Sequence, residues 1–360
     1  MPHARKEPAV EHIGIDLGAK VCHVVIVGAG GADILCRAVA TRHLKAFLSK
    51  REPSLVVMET CTQSRAASRI ALEVGHRVRV VPTQLVRALG VGARGIKTDA
   101  RDARVLAHAS QRMVDGLPGV HLRGDESVRT KELLAARRLL VSARSKLALS
   151  CKSWLRGRLL GIRGRATSSH FSQAFRRLAR AHDLEIPLGT ETLLATFEQH
   201  CEQIARLDAE LDALVAVDPV VQRLMTMPGV GPVVAATFRA HIDDPLRFSS
   251  ADQVGSYLAL VPGEATTGGK IKRTATIRAG CRHIKSLLIQ AAWSMWRSQP
   301  TSPLVLWAHS VEQRRGKRVA IVALARKMAC ILWAMWKHER GYEPGRATTF
   351  RPSADLRLAG

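Results

Sequence analysis

Residues 12–27, HIGIDLGAKVCHVVIV, hold two short β-rich runs, 12–17 and 21–27, separated by the turn Gly18-Ala19-Lys20. Asp16 stands at the end of the first run. A carboxylate there is not placed for packing, because burying an unpaired charge is costly. The same pattern returns in SLVVMET, where an apolar strand over 54–58 is followed by Glu59. The segment KTDARDAR then carries Asp99 and Asp102 three apart, on one face of a helix expected over 99–111. Oxygen-only ligands of this kind suit Mg²⁺ or Mn²⁺, and such ions activate the oxygens that exchange at a phosphodiester. Asp16, Glu59, Asp99 and Asp102 are therefore read as catalytic metal ligands.

Outward from this stretch, the Gly-rich GAGGAD leads to a third short run near 34–39, giving a meander. A helix over 42–50, the strand ending in Glu59, a helix over 64–75, a strand over 77–81 and helical segments over 83–89 and 99–111 follow. A meander followed by alternation of strands and helices predicts an α/β domain with a mixed sheet, here assigned to 10–115. If its first and fourth strands are neighbours, the four carboxylates converge.

The loop GLPGVHLRGDES closes this domain, and 126–217 reads as a coiled-coil linker. A helix over 128–160 repeats Leu133, Leu140, Leu147 and Trp154 every seventh residue, and a second over 190–216 repeats Phe197, Ile204 and Leu211. The first is basic, with Arg137, Arg138 and Arg144 as candidate nucleic-acid contacts, and the second is acidic. They pair with each other or across subunits, and the leucine seam predicts a homodimer or homotetramer.

A third region, 218–340, opens on MPGVGPVVAA, a turn into a helix that is similar to a helix-hairpin-helix DNA contact. Amides around Gly229 and Gly231 are its candidate phosphate ligands. Helix-like SADQVGSYLAL precedes a hydroxyl-rich, glycine-rich, basic loop from Thr266 to Arg278, and Lys270, Lys272, Arg273, Arg278 and Arg282 cluster in and after it. Helices over 281–297 and 317–338 place Trp293, Trp296, Trp333 and Trp336 at helical spacing, as core or subunit-interface residues. The remainder, 341–360, has no periodicity and reads as a flexible tail.

Composition narrows the partners. Lys and Arg number 55 against 30 Asp and Glu in 360 residues, a formal charge of +25, which makes nucleic acid the natural partner. The seven cysteines form no Cys-x-x-Cys pair, so neither a disulfide framework nor a zinc site is indicated. The N-terminus lacks a signal-peptide core, and VAIVALARKMACILWAMW is interrupted by Arg326 and Lys327, so a cytoplasmic protein without a membrane partner is expected.

Taken together, GIDLGAK, VVMETC, KTDARDARVLA, MPGVGPVVAA, IDDPLRF, QVGSYLALVPGEATTGGK and IRAG resemble the DEDD transposases of bacterial insertion sequences. This is the group called "IS one-ten", which includes the pilin-gene invertase Piv. The resemblance runs in order from about residue 12 to about residue 295. It implies an RNase H-like (RuvC-like) N-terminal domain, a helical coiled-coil linker and a mainly helical C-terminal transposase domain. It also implies DNA recombination through a covalent link to a hydroxyl side chain beside the acidic tetrad, guided by an element-encoded structured bridge RNA. A bacterial, nucleoid-associated setting goes with it. Where the family carries a nucleophilic serine, this chain has Thr267, preceded by Thr266 as the fallback. Threonine keeps the hydroxyl, while its methyl restricts χ1 and crowds an in-line approach. Gly268 and Gly269 would admit the strand, and Lys270 would stabilise charge on the phosphate. The rival readings are a resolvase-like nuclease, which needs no hydroxyl, and a nucleic-acid-binding homologue without chemistry.

Overall fold

The structure is a computed structural model and describes residues 11–89, 98–113, 116–164, 166–264, 273–277 and 280–347. It divides into two compact units, Met1–Leu122 and Arg123–Gly360.

The first unit is built on five strands, β1 (His12–Asp16), β2 (Val21–Val27), β3 (Asp33–Ala40), β4 (Leu55–Glu59) and β5 (Arg77–Val81), in the order β3-β2-β1-β4-β5. β1 runs antiparallel to β2 and parallel to β4, β2 runs antiparallel to β3, and β4 runs parallel to β5, so the sheet is mixed. Alternation along each strand sorts residues between two layers. On one face Ile13, Ile15, Val24, Ile26, Val56 and Met58 form a core with α1 (Leu44–Leu48) and α2 (Ser64–Glu73). On the other, Val25, Val27, Leu55, Val57 and Val81 meet α4 (Asp99–Arg112), with Val86 of α3 (Thr83–Ala88) beside them. The helix expected over 42–50 is shorter, because Thr41–His43 is a 3-10 turn that leads into α1.

Among its described residues the second unit is mainly helical, with one two-stranded hairpin. Its helices are α5 (Asp125–Arg156), α6 (His170–Ala181), α7 (Leu188–Val217), α8 (Pro219–Met225), α9 (Pro232–Ile242), α10 (Ala251–Tyr257), α11 (Arg282–Ser298), α12 (Pro303–Arg315), α13 (Lys317–Lys337) and the single turn α14 (Pro344–Ala347). α5 and α7 pack along one another within the chain. Leu133, Leu134, Leu211 and Val215 at one end of this pair join the main core, which α8 to α13 complete. At the other end Ala148, Cys151, Leu155, Leu194 and Phe197 enclose a separate small core with Phe171 and Phe175 of α6. Arg137 and Asp208 form an ion pair across the middle. Leu133 is buried and Leu140 and Leu147 are half-buried, so much of the seam expected to hold subunits together is covered within one chain.

Several elements differ from the sequence reading. α6 is not among the expected helices, because its apolar stripe, Phe171, Phe175 and Ala179, spans only about two turns. α8 and α12 carry a readable start, since Asp218 and Ser302 cap helices that open on Pro219 and Pro303. The loop expected from Thr266 to Arg278 contains a strand: β6 (Pro262–Glu264) pairs antiparallel with β7 (Arg273–Thr276). The tail expected to be flexible from 341 begins docked, with Tyr342 half-buried against the core and its N–H donating to Thr226 Oγ1 at 2.9 Å. α13 is long and apolar enough to cross a membrane by composition, but 67% of its apolar window is buried inside the fold. Trp333 and Trp336 on it, and Trp296 on α11, belong to the core.

Candidate active site

The position of α4 on the sheet follows from three contacts along β1. His12 Nδ1 lies 3.0 Å from Ser110 Oγ near the helix end. At Gly14 the helix backbone comes so close that an added Cβ would lie 2.6 Å from Ala107 N and inside contact of Ala103 O. α4 therefore runs antiparallel to β1, and its first turn lies over the strand end where Asp16 stands. Asp16 has the same parity as His12 and Gly14 and faces α4. On the adjacent parallel strand, Glu59 shares parity with Leu55 and Val57, which also pack toward α4.

The first turn of α4 is set by Thr98, whose side chain accepts a hydrogen bond from Arg101 N–H. Asp99 and Asp102 occupy that turn, where the amide dipoles favour negative charge. Asp99 is in line with Ala103 and Ala107, which pack on Val25 and Val27 of β2, and its carboxylate lies 3.6 Å from His23 Nδ1. Asp102 is in line with Leu106 and Ala109, which pack on β4 and β5, and it is only 5% exposed. The fold thus brings the four residues to one edge of one sheet face, Asp99 toward β2 and Asp102 toward β4, with Asp16 between. Among the described residues, no three His, Cys, Asp or Glu side chains form a group that could hold a metal ion as they stand.

His23, which the sequence alone does not mark as a metal ligand, also stands at this edge. It pairs with Asp16 in the β1–β2 register and shares parity with Val25 and Val27. A cleft of about 730 Å³ lies along α4, lined by Arg101, Arg104, His108 and Arg112 and reaching Thr98. Arg104 and His108 also donate to Asp33 at the start of β3, at 2.7 and 2.8 Å.

In the second unit the candidate nucleic-acid contacts separate. Arg137 is committed to Asp208, and Arg144 Nη1 donates to the Thr167 carbonyl at 2.8 Å, whereas Arg138 and Arg282 are exposed. Gly229 has φ +85°, and a Cβ there would lie 2.5 Å from Ala291 O, so its lack of a side chain serves packing against α11. Gly231 borders open space at the start of α9. Arg273 opens β7. Thr266, Thr267, Gly268, Gly269, Lys270, Lys272 and Arg278 lie outside the described residues.

Comparison with known proteins meets this arrangement at both units. A family model described as a transposase, DEDD_Tnp_IS110, matches residues 13–158, and the model for the transposase IS116/IS110/IS902 family matches 221–304. A probable family 20 transposase of Pseudomonas aeruginosa is 30% identical over 344 residues, covering 93% of this chain and 99% of the relative. The chain belongs to the IS110-type transposase family. Among its other relatives, the transposase for insertion sequence element IS1328 of Yersinia enterocolitica is 28% identical over 91% of this chain and 97% of its own length. The transposase for IS1111A of Coxiella burnetii is 26% identical over 93% and 92%. The match over 13–158 of this transposase spans all four acidic residues, and the match over 221–304 spans Gly229, Gly231 and the hydroxyl loop.

Proposed function

We propose that this transposase cleaves and exchanges DNA strands through a covalent link to Thr267, working with divalent metal at Asp16, Glu59, Asp99 and Asp102. The observation that carries the reading is the placement of all four acidic residues at one sheet edge, on two parallel strand ends and one helix start. Strand order β3-β2-β1-β4-β5 supports a RuvC-like identity for the first unit. The donor set is all oxygen and one member is buried, which fits Mg²⁺ or Mn²⁺. An open grouping also fits Mg²⁺, which is commonly held by one or two carboxylates together with water and substrate phosphate rather than by a closed cage. A bound ion would polarise the scissile phosphate and stabilise charge on its oxygens.

In the proposed chemistry Thr267 Oγ1 gives up its proton and forms a bond to phosphorus. The bond from phosphorus to the departing strand's sugar oxygen breaks, and that oxygen takes up a proton. Lys270 stabilises the charge gathered on the phosphate. Attack by a new strand end reverses the link. Target choice is assigned to a bridge RNA paired with donor and target DNA, assembly to a homodimer or homotetramer, and location to the bacterial cytoplasm and nucleoid. Residues 126–217 are assigned to the linker and 218–340 to the C-terminal domain.

The test is recovery of a protein–DNA adduct under denaturing conditions. Thr267→Ala should bind DNA and form no adduct, while Thr267→Ser should equal or exceed the wild type. An adduct that survives Thr267→Ala and is lost in Thr266→Ala moves the role to Thr266. Cleavage with no adduct in the wild type would favour a resolvase-like nuclease, and no cleavage with intact binding would favour an inactive homologue.

A further inference from the structure

α4 turns one side to the sheet and the other to a cleft. Asp102, Ala103, Leu106 and Ala107 are buried on the sheet side, whereas Arg101, Arg104, His108 and Arg112 recur at helical spacing and form one row along the opposite side. That row lines the cleft of about 730 Å³ along the helix, a size within the roughly 300–1,000 Å³ of clefts that take a ligand. None of the described residues lining it is acidic, and Leu89, Val105 and Met113 add apolar surface.

The four side chains are held differently. Asp33, at the start of β3, lies 2.7 Å from Arg104 Nε and 2.8 Å from His108 Nε2, so these two are fixed against the sheet. The Arg101 and Arg112 guanidinium groups make no hydrogen bond or ion pair among the described residues, and they stand at the two ends of the row. Asp33 offsets one guanidinium, which leaves the row with an excess of positive charge. Along the helix axis the row covers about 16 Å, the rise of about five nucleotides in one strand of a duplex. At its near end the cleft reaches Thr98, the cap of the turn that carries Asp99 and Asp102. A carboxylate edge by itself repels a phosphodiester, and cations that begin beside it hold a strand against that repulsion.

We propose that the α4 cleft binds the DNA strand that leads to the acidic edge, with Arg101 and Arg112 each holding a phosphate and Arg104 set between them by Asp33. The inference rests on the reading of the acidic edge as the place of strand cleavage, and it adds the side of α4 that this reading leaves unused. The occupant is DNA because the cleft ends beside the residues that act on the strand being cut.

The experiment uses the full chain in EDTA, where cleavage does not intervene, with a fluorescein-labelled 30-nucleotide DNA read by anisotropy across a salt series. Arg101→Gln/Arg112→Gln should weaken binding about tenfold and lower the slope of log affinity against log salt by about 1.4, the value for two phosphates of a single strand. Arg42→Gln/Lys50→Gln removes the same charge from exposed positions on either side of α1, at the other face of the sheet, and should change affinity by no more than about twofold. Arg101→Lys/Arg112→Lys should keep most of the affinity, since a phosphate also accepts a point charge. A footprint locates the effect: DNA should protect Arg101 and Arg112 of the wild type from p-hydroxyphenylglyoxal and leave Arg42 labelled, and this decides the matter if the double variant does not fold. Equal losses in the two Gln double variants, or unchanged labelling of Arg101 and Arg112, would overturn the site and leave the reading of the acidic edge intact. Protection by an RNA of the same sequence and not by the DNA would overturn the assignment to DNA. Protection by DNA in a wild type that never cleaves it in Mg²⁺ would uphold the site and overturn the cleavage reading.

Discussion

The acidic edge of the first unit and the α5–α9–α11 region of the second both carry several like charges, and their surroundings treat those charges differently. At the sheet edge the carboxylates sit where backbone geometry ends: two strand C-termini and the first turn of α4, where helix amides favour negative charge. In the α5–α9–α11 region burial is the first cause that lowers both Lys131 and His283, followed by Arg123 for the lysine and by Arg138 and His241 for the histidine. At the edge the helix amides favour the kind of charge that gathers there, whereas in the second unit burial works against it.

The largest effect that would test this contrast is loss of chemistry without loss of binding. Asp16→Asn, Glu59→Gln or Asp102→Asn should reduce strand exchange to background while DNA affinity, measured by anisotropy, stays within a few-fold of wild type. Full recombination by Asp16→Asn would remove the acidic edge from the reaction. Next comes salt. Neutralising several phosphates releases counterions, so wild-type DNA affinity should fall roughly 10³-fold between low and moderate salt, and a flat profile would contradict a role for the cations.

A third test uses pH. Burial lowers His241 to about 4, partly opposed by its hydrogen bond to Thr237 and assisted by Lys131 and Arg123. Above its ordinary value of 6.5 the ring is neutral both folded and unfolded. As pH falls from 6.5 toward 4 the unfolded chain takes up a proton that the folded chain refuses, so stability contributed by the neutral ring is lost across that window. The loss totals about 3 kcal/mol. Denaturant titrations of His241→Met should show a shallower decline over the same window, and an unchanged decline would exclude His241 as its source. The smallest effect is expected at Arg137 and Asp208, whose partly exposed pairing across α5 and α7 should give a coupling of no more than about 1 kcal/mol in a double-mutant cycle.

The two regions also differ in how much of them could be read from the chain. Asp16 and Glu59 announce themselves because each closes an apolar run, and Asp99 and Asp102 because their spacing matches a helix face. The mixed sheet was legible for the same reason, since strand and helix periods alternate cleanly through 12–111. His23 was not, because a histidine inside VCHVVIV carries meaning only once β2 is registered against Asp16. Lys131, His241 and His283 are scattered over more than 150 residues and come together through the packing of three helices, which no local pattern encodes. α6 and the β6–β7 pairing were missed for a related reason, since short elements owe their existence to the partner they cover.

Gly14 gives the acidic edge a mechanical setting. With hydrogen in place of a side chain at that position, α4 rests directly on the β1 backbone, and every ångström of height added there would be passed along a rigid helix to its first turn. Position 14 therefore works as a shim of zero thickness. The seating of α4, whose first turn carries Asp99 and Asp102, is thus set two residues upstream of Asp16, by an atom that is absent from the chain, and a single methyl group at that point would lift the helix without touching any of its carboxylates.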